Sequence, residues 1–457
     1  MQQQILPKEN KMGVMPVQRL VLTMSFPIML SMLIQALYNI VDSIFVSMSS
    51  TLALTAVSLA FPLQNLMIAV AVGTSVGMNS LLSRKLGAKE REDAEKAAGN
   101  GLTLACISWA VFAIVGITLS KPFFRLFTQD EELIKLGATY TTICLFFSLG
   151  MFIDIMCERI LQGTGDTIHS MVVQLVGAVA NIILDPIMIF GLLGFPKLGI
   201  AGAAIATVLS QHISMILAIH YVKKNKDVTV TLKHLKMEKR IVKGIYAVGL
   251  PSIIMQSIGT LMTTGFNKIL IAYGNSAVSV FGIYFKLQSF VFMPVFGLNS
   301  GLIPVIGYNY GAKKPERMMQ ALKTAVTVAV GIMAVGTLLF VLFPKTLLSW
   351  FNADADMMKI GLNAFPILAS CFVFAGFSIA LSGLFQGVGD GVYSMIISVT
   401  RQIVILLPSA WILSKVGGIH AIWYSFLIAE LCSLMLTLFF FRKEYRKKVK
   451  PLYATAK

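Results

Sequence analysis

Two carboxylates stand where an apolar chain should avoid them. Asp42 lies in the run from Leu20 to Val46, and Asp185 in QLVGAVANIILDPIMIF. An ionisable group at membrane depth costs at least ~2.5 kcal/mol by insertion scales, so it turns to a bundle interior or a wet cavity and marks ion or substrate paths. Around Asp42, the residues Ser31, Gln35 and Tyr38/Asn39 recur at helical spacing and share one stripe. Around Asp185, Gln174, Gly177/Ala178 and Asn181 do the same, with Pro186 adjoining the acid. With Gln35, Tyr38, Asn39 and Asn181 as neutral partners, the two acids could bind a proton or a hard cation such as Na⁺. The structural alternative is a bridge between helices, made through Asn181 and Tyr140. Pro27 removes a backbone hydrogen bond from the first helix and supplies a place to bend.

Other chemistry is sparse. His169, His212, His220, His234 and His420 share no metal spacing, and no HExxH, GxSxG or P-loop motif is present. The five cysteines lie in apolar runs without CxxC spacing and read as small buried hydrophobes. Glu430 in the last apolar run either joins the coupling chemistry or pairs with Arg401 or Lys286. Asp154, Glu158 and Arg159 read as a local ion-pair cluster. Asp166 and Asp390, each behind a glycine turn, read as caps of the helices that follow. No catalytic constellation emerges, so the expectation is not an enzyme, and no cofactor is implied beyond a coupling ion, H⁺ or Na⁺.

The elements that must hold these residues follow from composition. The chain has 457 residues, 56% of them hydrophobic and 13% charged, with a mean hydropathy of +0.78. That describes an all-α polytopic membrane protein. The net charge of +17 would suit nucleic acid, but the cations sit between apolar runs, as topology demands. Runs long enough to span a bilayer fall near 18–46, 53–82, 97–120, 133–158, 168–193, 199–222, 242–272, 277–308, 318–343, 357–384, 392–414 and 418–441. Twelve transmembrane helices result. Alternate connections are basic: Lys8, Lys11 and Arg19; Arg84 to Lys96; Lys223 to Lys243; Lys313 to Arg317; and the tail from Arg442 to Lys450. By the positive-inside rule these and both termini are cytoplasmic. Residues 1–19 lack a signal-peptide core, so the N-terminus is expected to be retained.

The chain repeats itself at a constant offset of 224 residues. Pro27 maps to Pro251, Gly73 and Gly77 to Gly297 and Gly301, Gly87-Ala88-Lys89 to Gly311-Ala312-Lys313, and QGTGD at 162–166 to QGVGD at 386–390. Two pseudo-twofold-related six-helix bundles follow: an N-lobe over 1–222, a cytoplasmic linker over 223–241, and a C-lobe over 242–457 ending in the basic tail. Six is even, so the lobes are parallel repeats, and paired lobes around a cavity are the architecture of alternating access. The offset breaks at the acids. Asp42 becomes Phe266, and Gln174, Asn181 and Asp185 become Ser398, Ile405 and Ser409. Where the N-lobe is polar, the C-lobe offers Met255, Met262, Phe266, Tyr284, Phe290, Met293 and Phe296; those that line the cavity would suit bulky amphipathic cations.

YNIVDSIFVS around Asp42, NIILDPIMIFG at 181–191, GIAGAAIAT at 199–207, FMPVFGLNSGLIPVIGYNYGA at 292–312 and the paired QGxGD turns resemble the MATE family of multidrug and toxic compound extrusion transporters, most closely its MepA-like and DinF-like bacterial branch. The likeness implies twelve helices in two bundles and cation-coupled antiport of drugs and toxic organic cations across the bacterial cell membrane. It makes Asp42, Asp185, Asn181 and Thr207 the cation site, places Tyr38 and Tyr140 nearby, and makes Pro27 the bend that reshapes the cavity. The acids that the NorM branch carries in its seventh and tenth helices are missing here. A lipid-linked-precursor flippase of the same superfamily and an integral membrane lipid enzyme are the alternatives. A self-contained pseudo-twofold gives no need for a partner, so a monomer is expected.

Overall fold

The computed structural model describes residues 9–455, which leaves Lys8 outside the described residues. Those residues are helical throughout, with no strand among them. In the N-lobe α1 spans Val17–Ser49, α2 Thr51–Gly87, α3 Arg91–Arg125, α4 the pair Glu131–Phe146 and Leu149–Thr164, α5 Thr167–Phe190 and α6 Ile200–Lys224. In the C-lobe α7 spans Lys239–Leu270, α8 Asn275–Gly311, α9 Pro315–Leu342, α10 the pair Ala355–Ala369 and Phe372–Gly387, α11 Gly391–Ile422 and α12 Tyr424–Glu444. Ten are single helices long and apolar enough to cross a membrane, and the two bent pairs bring the spans to twelve.

Several helices run past their apolar stretches. An intrahelical ladder needs no apolar side chains, and α3 begins with Glu92 and Asp93 in its first turn, where the helix dipole favours acids. Two spans expected to be continuous are not: α4 bends by 45° and α10 by 43°, at positions that match under the repeat. The physical reason sits at the breaks. Ser148 Oγ donates to the Leu145 carbonyl at 2.7 Å and Ser370 Oγ to the Ile367 carbonyl at 2.6 Å, so hydroxyls take carbonyls that the helical ladder gives up. α11 contains a π-helical stretch over Thr400–Leu406, and Gly418 breaks it near its far end with φ at 64°.

The lobes meet along a seam that the repeat builds twice. A Cβ on Gly73 would lie 2.6 Å from the Ile253 backbone nitrogen, and one on Gly297 would lie 2.6 Å from the Cα of Met29, the repeat equivalent of Ile253. Gly77 packs on Ile245 and Gly249, Gly301 on Met24 and Ser25, and Gly87 and Gly311 on Tyr308 and Arg84 in turn. These glycines let α2 ride directly on α7, and α8 on α1, backbone against backbone. The seam closes the half of the molecule that carries both ends of the described chain and the basic loops, called here the basic end. Ser25 Oγ donates to the Leu298 carbonyl there, and Asn309 Nδ2 to the Met12 carbonyl.

The paired aspartates after the glycine turns part company. Asp166 caps α5, accepting from the His169 amide at 3.3 Å behind Gly165 with φ at 97°. Asp390 makes no such cap. It faces Lys448 Nζ at 2.6 Å and so ties the C-terminal segment to the C-lobe. The tail reaches over the turn and takes the carboxylate from its helix. Burial pushes the Asp390 carboxyl up, but the Lys448 ammonium outweighs this and holds it below its ordinary value. A depressed carboxyl contributes stability above its unfolded pKa and loses it as pH falls through the folded one. Lys448→Met should therefore lower thermal stability at pH 7 by about 1 kcal/mol, with the difference fading in acid, as read by unfolding in detergent.

Candidate ion-binding site

α1 and α5 lie side by side in the N-lobe and bring the two polar stripes face to face. Asp185 is fully buried, and Asn181, one turn before it, donates its amide to Asp185 Oδ1 at 3.3 Å. Asp42 meets Asp185 carboxyl to carboxyl, within hydrogen-bonding reach. Asp42 Oδ1 and Asp185 Oδ2 are buried without a hydrogen-bond donor. No lysine or arginine among the described residues forms a salt bridge with either acid. A carboxylate only accepts, so two carboxyls in direct contact bond to each other only with a proton between them.

The surrounding residues divide. Gln35 accepts from Gln174 Nε2 at 3.4 Å, which gives the stripes a second link two to three turns nearer the basic end. Tyr140 is buried, takes a hydrogen bond from Gln64 Nε2 at 3.4 Å, and lies within electrostatic reach of Asp42. Asn39 is exposed and not joined to this cluster. Thr207 is half-buried on α6, where its carbonyl accepts from Ser210 at 2.7 Å; its side chain makes no hydrogen bond to the acids among the described residues.

Pro27 leaves the Thr23 carbonyl without its helical donor. Thr167, the first residue of α5, fills the gap: its hydroxyl donates to the Thr23 carbonyl at 3.3 Å. A hydroxyl on the acid-bearing helix thus latches the proline turn of the other one. The repeat held the clue, since Thr167 maps to Gly391, which has no side chain to offer Pro251. Asn65 was also missed by sequence reasoning; its amide crosses the lobes to Thr260 Oγ1 at 2.6 Å.

The C-lobe corrects two of the expected cavity residues and decides between the readings of Glu430. Phe266 and Met262 belong to the buried core and not to a cavity wall. The Phe266 ring packs 4.6 Å from Phe281 and 5.1 Å from Phe426 between centroids, where aromatic stacking holds the bundle. Met255 and Met293 are only partly buried and remain available to a cavity. Glu430 is salt-bridged to Arg401 rather than to Lys286. Removing Arg401 strands the buried Glu430 carboxylate, whereas replacing both by apolar residues is far milder. Arg401→Met should lower the unfolding temperature in detergent more than the double variant Arg401→Met/Glu430→Leu. Asp154, Glu158 and Arg159 do not form an ion-pair cluster either. Arg159 Nη1 donates to Gln162 Oε1 at 2.8 Å, and Asp154 Oδ1 has no partner.

With the doubled lobes and the acid pair in place, comparison with known proteins decides the family. The MatE family model matches twice, over residues 27–187 and 251–412, one match in each repeat. The chain belongs to the MatE family. It is thus a membrane transporter and not an enzyme. The multidrug export protein MepA of Staphylococcus haemolyticus is 25% identical over 417 residues, covering 91% of each chain. The probable multidrug resistance protein YoeA of Bacillus subtilis is 27% identical over 430 residues, covering 92% of this chain and 93% of its own. An outward-facing multidrug resistance MATE family transporter of the MOP superfamily superposes with a TM-score of 0.91 at 26% identity, covering 98% of this chain and 99% of that one.

Proposed function

We propose that this MatE member is a multidrug antiporter that expels bulky organic cations in exchange for protons entering at Asp42 and Asp185. The observation that carries the reading is the direct carboxyl contact between these acids, on two helices of which one holds Pro27 and the other latches it through Thr167. A shared proton stabilises the contact, and its loss leaves two like charges in one buried site, which drives α1 and α5 apart. That separation strains the Thr23–Thr167 latch and bends α1 at Pro27, reshaping the cavity.

The basic end is taken as cytoplasmic, with both termini inside a bacterial cell membrane; the density of lysine and arginine there supports this. The lobes divide at the 223–241 linker and rock about the glycine seam, so the closed seam is the inner gate and the protein stands open to the outside. A monomer contains the whole cycle. Ethidium efflux from proteoliposomes tests the coupling ion. A pH gradient alone should drive it and a Na⁺ gradient alone should not; drive by Na⁺ at equal pH would reassign the site to Na⁺, held by the same carboxylates and the Asn181 amide oxygen.

A further inference from the structure

The N-lobe carries four acids within its spans, two of them buried and two half-buried, and the repeat gives each a neutral counterpart. Asp42, Asp154, Glu158 and Asp185 map to Phe266, Ser378, Ser382 and Ser409. Only Asp42 and Asp185 are used in the coupling site. Asp154 and Glu158 lie one turn apart on the same face of α4, about 6 Å along its axis, on the half that runs toward the basic end. Glu158 is 9% exposed and, among the described residues, makes neither a hydrogen bond nor a salt bridge; Asp154 Oδ1 is buried and unpartnered. Carboxylates without hydrogen-bond partners at this depth are costly to keep charged, and such groups in a membrane mark ion paths and proton relays.

Their placement gives the proton a route. Tyr38, one turn from Asp42 on α1, lies within electrostatic reach of Asp42, Asp185 and Asp154 together, which puts the α4 acids in the neighbourhood of the coupling site. Beyond Glu158, Arg159 bonds to Gln162, and Gln162 Nε2 donates to Ser170 Oγ at 2.9 Å; these groups mark the direction toward the basic end without taking up the proton themselves. Ser170 adjoins His169, whose ring is 2.6 Å from Asp166 and half exposed at the basic end. We propose that Asp154 and Glu158 form a second proton-binding station, which receives the coupling proton from the Asp42–Asp185 pair and delivers it to the basic end through the N-lobe, apart from the drug cavity. This rests on the proton-coupled reading above. One proton moves and no bond between heavy atoms changes: one carboxyl releases the proton that the next takes up. The other titratable groups near the station are Cys157 and Arg159 on α4 itself, Tyr38 on α1 and His212, which packs on Gly150, on α6.

Asp154→Ser and Glu158→Ser copy the residues that the sister lobe carries. In proteoliposomes, each should slow ethidium efflux driven by a pH gradient at least roughly tenfold while leaving ethidium counterflow, which moves no net proton, within about twofold of the parent. The pH profile of efflux should flatten, and Glu158→Asp should restore it where Glu158→Gln does not. Equal loss in both transport modes, or no loss in either, overturns the station. Asp42→Asn in the same vesicles separates the two claims. If it pumps normally, the coupling reading itself falls; if it stops while the α4 variants pump normally, only the second station falls. Should a serine variant be lost in purification, Asp154→Asn and Glu158→Gln are read against the same outcomes.

Discussion

Asp42→Asn abolishes uphill transport and spares insertion into the membrane. A gradient of one pH unit is worth about 1.4 kcal/mol per proton, enough to hold about a tenfold concentration ratio of substrate. Asparagine keeps the shape of the side chain and one oxygen for the Asp185 contact, but it cannot gain or lose the proton. The variant should relax any imposed ethidium gradient to a ratio of one, with unchanged amount and monodispersity after purification. A preserved ratio would remove Asp42 from the coupling. Asp185→Asn should behave alike, whereas Asn39→Ala, at an exposed position outside the cluster, should pump as the parent does.

Gly77→Ala opens the inner gate. The added Cβ would lie 2.1 Å from the Ile245 carbonyl oxygen and 2.7 Å from the Gly249 nitrogen, both backbone atoms that no rotamer change can move. Overpacking of this sort costs about 1–3 kcal/mol. The seam-closed state alone bears that cost, so its population relative to seam-open states falls about five- to 150-fold. Ser80 reports the shift, because it is fully buried beneath the seam and bonds to the Gln386 carbonyl. In a Ser80→Cys background, a membrane-impermeant maleimide applied at the basic end should label slowly with Gly77 and rapidly with Ala at that position. Equal rates would show that the seam is not the gate.

Much of this arrangement could be read before any coordinates. Span length and loop charge are local properties, and the offset of 224 residues carried the glycines of the seam with it. Asp42 and Asp185 stood out because burying charge is expensive wherever it occurs. What escaped depends on neighbours distant in sequence. Nothing in the sequence around Ser148 or Ser370 says that a hydroxyl will take a carbonyl and bend the helix, because serines make the same bond inside straight helices. The Thr167 latch joins residues 144 positions apart. Periodicity showed that Phe266 and Met262 share a helix with polar neighbours, but not that the aromatic core of the C-lobe would claim them. Asp390 has the residues of a cap, yet a lysine from the far end of the chain reaches it first.

The most direct test follows protons and drug in a single solution. Purified protein in weakly buffered detergent, with a pH-sensitive dye present, receives saturating ethidium. The account predicts a stoichiometric release of protons from the parent as drug binding empties the Asp42–Asp185 pair, and a release cut sharply in Asp42→Asn and Asp185→Asn. Drug binding with no release by the parent, or with a release both variants retain in full, would contradict it.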